Sequence, residues 1–456
     1  MYDKEQALKL MADRGQVLQD SVGQFKDGFG GLVKINGEIR FLAVVAKESM
    51  FSKNGKETKI ETLAEGELVE LPLNANNAAL VRQFTKGAMP TACGVKGVSV
   101  GFTDYLGIFC PELPLLFAKR HLKPVLVETS PEISKVSGQT LLNSIDMATW
   151  SVMASGVKTG YGVCVSSVKD EMDFLKALLY MYSSLGFDGG CWAKPEITEL
   201  SAADLEKKYL DFPEEFRKAL EASYLNVEFK VNNQVIKFQD KEALQRIVLT
   251  YGETIMHVQT IFDTYFKDTP WPLDLELDLS RAGLPLTPQA HYLLANELQR
   301  NGIKIASVCL DSRVDSEAVE QEFAKHAAIA DTFGYRMSIA NADFYAPVTL
   351  RKMVKQAGGK LHLKLSSILW LAVLATVAFT DMPLMQKIAA QANLPVPTSG
   401  ELTMEQELGR KYAASWIQIL TAKEYTPADL KKVVEKTSTV YAAKVQEFVQ
   451  PFLTDL

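Results

Sequence analysis

The 456-residue chain carries 47% hydrophobic and 23% charged residues and a formal net charge of −6. These are the proportions of a soluble globular protein with a large core. They exclude a disordered or fibrous chain, and a negative balance with no basic, aromatic-interleaved stripe gives no case for a nucleic-acid partner.

The opening segment, Met1–Leu18, is charged and amphipathic and has no apolar stretch resembling a secretion signal. Residues 1–95 read as a small α+β section: a strand at Phe41–Ala46, a hairpin or exposed loop over Lys47–Gly66, and a helix over Asn74–Lys86. Gly94 and Gly97 then punctuate the entry to a different rhythm. Eight short β-prone runs follow, nearly every consecutive pair separated by a helical pattern. They are Val98–Phe102, Pro124–Glu128, Tyr161–Ser166, Phe187–Trp192, Leu273–Leu279, Ile303–Leu310, Tyr335–Ala340 and Lys360–Leu365. Strands alternating with helices imply parallel pairing through right-handed crossovers, and a count of eight predicts a closed (β/α)8, TIM-type barrel over 96–380.

The longest departure from the repeat is an insertion after the fourth strand, about 194–271. Within it, 227–238 reads as a hairpin closed by Asn232-Asn233, and a helix is expected over Lys241–Lys267. The insertion would serve either as a lid over the barrel mouth or as a dimerisation arm, so a homo-oligomer is compatible with it. The run Ile368–Thr380 is too short to span a bilayer, for which ~20 residues are needed, and reads as a buried barrel helix. Residues 381–456 form a helical extension, with segments near Pro383–Ala392, Thr403–Ala422 and Ala428–Phe452.

Cys93, Cys110, Cys164, Cys191 and Cys309 are odd in number and contain no CxxC pair; three fall on expected strands. Reduced core thiols and a cytoplasmic location follow as the expectation. His257, His291 and His326 sit in helical patterns, no two histidines are four apart, and glycine-rich phosphate loops are absent.

Barrel enzymes place their chemistry at the C-terminal ends of the strands. On the eighth strand Leu361, Leu363 and Leu365 share one face, which points His362 and Lys364 into the barrel. Lys364 would either meet a substrate carboxylate or act as a base, or else form a buried ion pair with an acid of the fifth strand. That strand carries Asp274, Glu276 and Asp278 on one face, a cluster that needs counter-charge: a metal ion, or residues such as Lys364 and Arg281. The polar set expected at the mouth comprises Thr103, Asp104, Glu128, Thr129, Ser166, Ser167, Lys194, Asp311, Arg313, Asn341 and Asp343.

Several ordered segments resemble the tagaturonate (hexuronate) epimerases: SVGFTDYLGI at Ser99–Ile108, DMATW at Asp146–Trp150 and GYGVCVSSVK at Gly160–Lys169. IMHVQTIFDTYFKDTP at Ile255–Pro270, PLTPQAHYLLANELQRNGI at Pro285–Ile303 and GGKLHLK at Gly358–Lys364 extend the likeness. The resemblance implies a (β/α)8 barrel that inverts a hydroxyl-bearing carbon of a keto-hexuronic acid with a divalent metal held at the ends of the third, fourth, fifth and seventh strands. At those positions this sequence has Cys164, Ser166 and Ser167, then Ala193, then Ser280 and Arg281, then Ala340, which are poor ligands for a divalent ion. No metal ligand is therefore assigned.

Two functions follow as expectations. One is an epimerase or isomerase of a sugar acid with a rebuilt site: Asp278, Asp311 and Lys364 catalytic, and Arg281, Arg313, His362, Ser166, Ser167, Asn341 and Asp343 binding substrate. The other is a non-catalytic barrel that binds a sugar acid or a protein partner without metal.

Overall fold

Alternation along the barrel strands decides the architecture: one face is apolar and the other is mostly polar or small. A computed structural model describes residues 2–85, 87–310 and 317–456. In it, eight parallel strands close into a barrel: Ser99–Phe102, Lys123–Thr129, Gly162–Val168, Ser184–Asp188, Asp274–Asp278, Ser307–Leu310, Arg336–Ile339 and Leu361–Leu365. Leu275, Leu277, Val308, Met337, Ile339, Leu361, Leu363 and Leu365 are buried under the surrounding helices. The opposite faces supply the bore.

Seven of the eight strands fall on their expected runs, some shortened. The fourth is displaced: it spans Ser184–Asp188, and Gly190–Trp192 forms a 3-10 turn beyond it. The apolar Cys191 and Trp192 extend the β-prone pattern past the strand, but the Gly189-Gly190 pair releases the chain from the sheet. Cys191 consequently lies off any strand and is exposed, unlike the other four cysteines; all five are free.

The N-terminal residues form a six-stranded antiparallel sheet that includes Gly28–Ile35, Glu38–Val45 and Gly66–Pro72. Its aromatic core, Phe25, Phe41 and Phe51, reaches Trp150 on the barrel helix Leu141–Ser155, with Phe41 and Trp150 centroids 6.2 Å apart. Arg82 on the helix Ala75–Phe84 adds a buried ion pair to Asp146 at 2.8 Å and a bond to Thr149 at 3.0 Å. The DMATW segment thus joins the two modules.

The insertion holds the hairpin Glu228–Val231/Gln234–Lys237, with Asn232 at φ +50 in its turn. The following α-helix ends at Ile261 and continues as a π turn over Phe262–Phe266, instead of remaining α-helical to Lys267. The helix Ile368–Thr380 is apolar all round, and helices of the C-terminal extension, Met382–Ala392, Pro427–Lys436 and Ser438–Leu453, cover the face a barrel helix would otherwise show to water. No helix among the described residues is long and apolar enough to cross a membrane.

Candidate active site

The bore carries an ion-paired layer. Lys364 Nζ bonds Glu276 Oε1, and Ser307 Oγ donates to Glu276 Oε2 at 2.8 Å. His362 Nε2 donates to Glu128 Oε1 at 2.7 Å, while its Nδ1 lies 2.8 Å from Ser99 Oγ. All four ionisable side chains are buried. Burial alone would push Glu276 and Glu128 up, yet Lys364 and His362 hold both below the ordinary carboxylate range. Burial also opposes the charge on Lys364, but the Glu276 and Glu128 carboxylates keep it well above the usual amine value. Gly101 makes room: a Cβ there would lie 2.5 Å from the Glu128 side chain. Of the two readings of Lys364, the geometry realises the ion pair with the fifth strand.

Above this layer, at the C-terminal strand ends, two carboxylates stand side by side on neighbouring strands. Asp188 closes the fourth strand and Asp278 the fifth, and they are direct neighbours in the parallel register. Asp188 Oδ1 accepts from the Cys191 backbone N–H at 3.1 Å. Asp278 accepts from Ser280 Oγ at 2.6 Å, Ser280 N at 3.0 Å and Ser167 Oγ at 3.1 Å. Ser167 reaches it because the third strand bulges there and Ser167 adopts φ +53, a left-handed conformation that re-aims its side chain. Gly186 permits the close approach of the fourth strand, since a Cβ would stand 3.0 Å from Ser166 Cα. Burial, and then the neighbouring Asp278, raise the Asp188 carboxyl above its ordinary value. The pair thus sets two carboxyl groups on neighbouring strands in unlike surroundings.

Both aspartates are buried, at 2% and 3% exposure, beneath the loops that follow their strands. These loops touch: a Cβ on Gly190 would meet Ala282 N at 2.6 Å. On the rim Arg281 bonds Glu132 at 2.8 Å, both half exposed, and its charge acts on Asp188 and Asp278. Trp192 stacks on His257 at 3.5 Å between centroids, and Lys194 pairs with Glu253 at 2.5 Å, which ties the fourth-strand loop to the insertion helix.

Across the mouth, Ser366 Oγ donates to Asn341 Oδ1 at 2.7 Å and lies 3.3 Å from Asp343 Oδ1, and Ser367 N donates to Asp343 Oδ2 at 2.6 Å. Burial pushes the Asp343 carboxyl up to about 6. Ser166 Oγ is turned to Thr129 O at 3.1 Å.

The structure therefore brings Ser167, Asp278 and Arg281 together with Asp188, sets Asn341 and Asp343 on the seventh-strand side, and places Lys364 and His362 one layer deeper. Asp311 and Arg313 lie outside the described residues. Sequence alone does not single out Asp188, because the β-prone run Phe187–Trp192 extends past the end of the strand Ser184–Asp188. Its signal was present in the small or polar Ser184, Gly186 and Asp188 alternating with Leu185 and Phe187. The fourth strand ends on an acid, not on Ala193.

The divalent metal implied by the resemblance does not fit the described donor set. Among the described residues no three His, Cys, Asp or Glu side chains gather as ligands. Asp188 and Asp278 are already bonded to hydroxyl and amide donors and lie under the Arg281 charge.

Comparison with known proteins gives a consistent picture. Residues 18–400 match the family model described as UxaE, tagaturonate epimerase. The chain is 24% identical over 328 residues to the tagaturonate/fructuronate epimerase of Thermotoga maritima, a match covering 69% of this chain and 66% of that relative's length. It also resembles crystal structures of fructuronate-tagaturonate epimerase from Cohnella laeviribosi. The glycerol-bound form has a TM-score of 0.88 at 23% identity over 98% of this chain and 97% of that one. The native form has a TM-score of 0.85, also at 23% identity.

Proposed function

Because the chain belongs to the tagaturonate epimerase family, we propose that it binds a keto-hexuronate of the tagaturonate/fructuronate type at the barrel mouth and inverts one of its hydroxyl-bearing carbons by carboxylate acid/base chemistry. The observation that carries this reading is the neighbouring pair Asp188 and Asp278. Inversion at a carbon β to the ketone requires one group to take the proton of its hydroxyl as the adjacent C–C bond breaks and a group to return that proton as the bond re-forms on the other face, and adjacent carboxylates with unlike environments supply both. Asp278, accepting three hydrogen bonds, is the base. Asp188, with its raised carboxyl, is the acid.

Arg281 binds the substrate carboxylate, exchanging it for Glu132 in a like-for-like swap of acceptors. Ser166, Ser167, Asn341 and Asp343 meet the sugar hydroxyls. Lys364 and His362, paired with Glu276 and Glu128, form the floor beneath them. Asp311 and Arg313 are assigned here from sequence alone, as an auxiliary acid/base group and a second carboxylate contact. The loops after the fourth and fifth strands open to admit substrate and close to exclude water. Reduced thiols suit a cytoplasmic setting.

A second reading, a barrel that binds a sugar acid without turnover, draws on the burial of both aspartates and on the finding that no three ligand-type side chains gather among the described residues. One experiment separates the two. The chelator-treated protein is incubated with D-tagaturonate and followed by NMR. Appearance of the epimer supports the acid/base reading. Saturable binding with no epimer supports the binder, and restoration of turnover only by added metal overturns the metal-free chemistry.

A further inference from the structure

On the outside of the barrel, the helix Glu171–Leu179 turns an apolar face to water. We propose that this face is the interface of a homodimer, covered by the same helix of a second copy across a two-fold axis. A barrel helix ordinarily buries its apolar side and shows charge outside. Here Phe174 and Ala177 are buried against the barrel, yet Leu179 is 75% exposed, Met172 59% and Leu175 44%. Met181, just past the helix, and Trp271 are exposed as well. Ser184 pairs with Asp274, and Asp274 N donates to Ser183 O at 3.1 Å, so the segments leading into the fourth and fifth strands run side by side. Single exposed apolar side chains are ordinary, whereas a contiguous group marks an association surface.

The face is held in place at both ends. Phe174 stacks on Tyr265 with 5.7 Å between centroids, and Tyr265 Oη donates to Glu171 at 2.5 Å, which fixes the helix against the insertion. At the other end Met181 N donates to Leu178 O and Tyr182 N to Ala177 O, both at 3.0 Å. That closure needs a left-handed residue, a position that favours glycine. Met181 holds it at φ +63, so a strained methionine extends the apolar face. The occupant follows from charge. Asp173 and Lys176 lie 3.3 Å apart on one flank of the face. Antiparallel pairing about an axis level with Leu175 sets Met172 on Leu179 of the second copy and brings the two Leu175 side chains together. It also brings Lys176 beside Asp173 of the second copy, twice by symmetry, with the helix dipoles opposed. The surface is complementary to itself, as a two-fold contact demands. No stretch of this chain outside the described residues is longer than 311–316, which is too short to cover a helix of 9 residues.

The test is sedimentation velocity of the full chain beside Leu179→Glu, Asp173→Lys and Lys176→Glu. The parent should be a dimer at roughly 10 μM. Leu179→Glu should weaken dimerisation about 100-fold or more while its circular dichroism stays that of the parent, because the position is exposed in the single chain. Asp173→Lys and Lys176→Glu each place like charges across the axis and should each weaken it about tenfold or more. An equimolar mixture of those two variants restores opposite charges between chains, although neither chain regains the pair within itself, so the mixture should recover the dimer. A parent that remains monomeric at that concentration, a dimer that survives Leu179→Glu, or a mixture no more associated than its components would overturn the inference.

Discussion

Replacing Lys364 by methionine would show how strongly the bore depends on its internal charges. The side chain bonds Glu276 and acts on Glu128, whose Oε2 has no hydrogen-bond partner. Its removal leaves two buried carboxylates with only His362, Ser307 and protein dipoles for compensation. Breaking one side of a buried pair costs about 3–5 kcal/mol, or on the order of 3–5 °C in melting temperature for a protein of this size. The sign of the pH dependence follows. In the parent, Glu276 and Glu128 sit below their unfolded values, so their contribution is present above pH ~4.3 and fades as pH falls through the folded values. In the variant burial raises both, so stability is lost as pH rises above ~4.3 and the deficit grows toward neutrality. The double variant Lys364→Met/Glu276→Leu should recover most of the loss. Chemical denaturation at pH 5 and pH 8 measures this. A pH-independent cost of less than about 1 kcal/mol would refute the reasoning.

Three further outcomes are expected. Buried His291 and His326 face each other through their Nδ1 atoms at 2.9 Å, with Tyr335 Oη 2.7 Å from His291 Nε2. Burial holds His291 well below its usual value and His326 at about 4. The unfolded chain therefore binds more protons below pH ~6.5, and denaturant midpoints should fall as pH drops from there toward 4, a slope that His326→Gln flattens. Ser167→Gly relieves a left-handed residue costing about 1 kcal/mol but deletes its bond to Asp278; thermal stability should hold or rise while turnover falls. Arg82→Met strands the buried Asp146 carboxyl, so limited proteolysis should release the N-terminal sheet earlier, with about 3 kcal/mol of stability lost.

Much of the frame was legible because its signals are local. Leu361, Leu363 and Leu365 alone turn His362 and Lys364 inward, and Asp274, Glu276 and Asp278 declare an inward acidic strand. The reading failed where the pattern was ambiguous: Cys191 and Trp192 look like strand yet follow the Gly189-Gly190 break, which hid Asp188. Long-range partners were beyond it altogether. Nothing local pairs Glu128 with His362, 234 positions away, or shows that a bulge would swing Ser167 onto Asp278.

The central claim is that Asp188 and Asp278 move protons on a bound hexuronate. Its most direct test is turnover of D-tagaturonate by Asp188→Asn and Asp278→Asn beside calorimetric binding of the same compound. The account predicts that each variant loses at least about 100-fold in kcat while its Kd stays within a factor of about three. Parental turnover in either variant would contradict it.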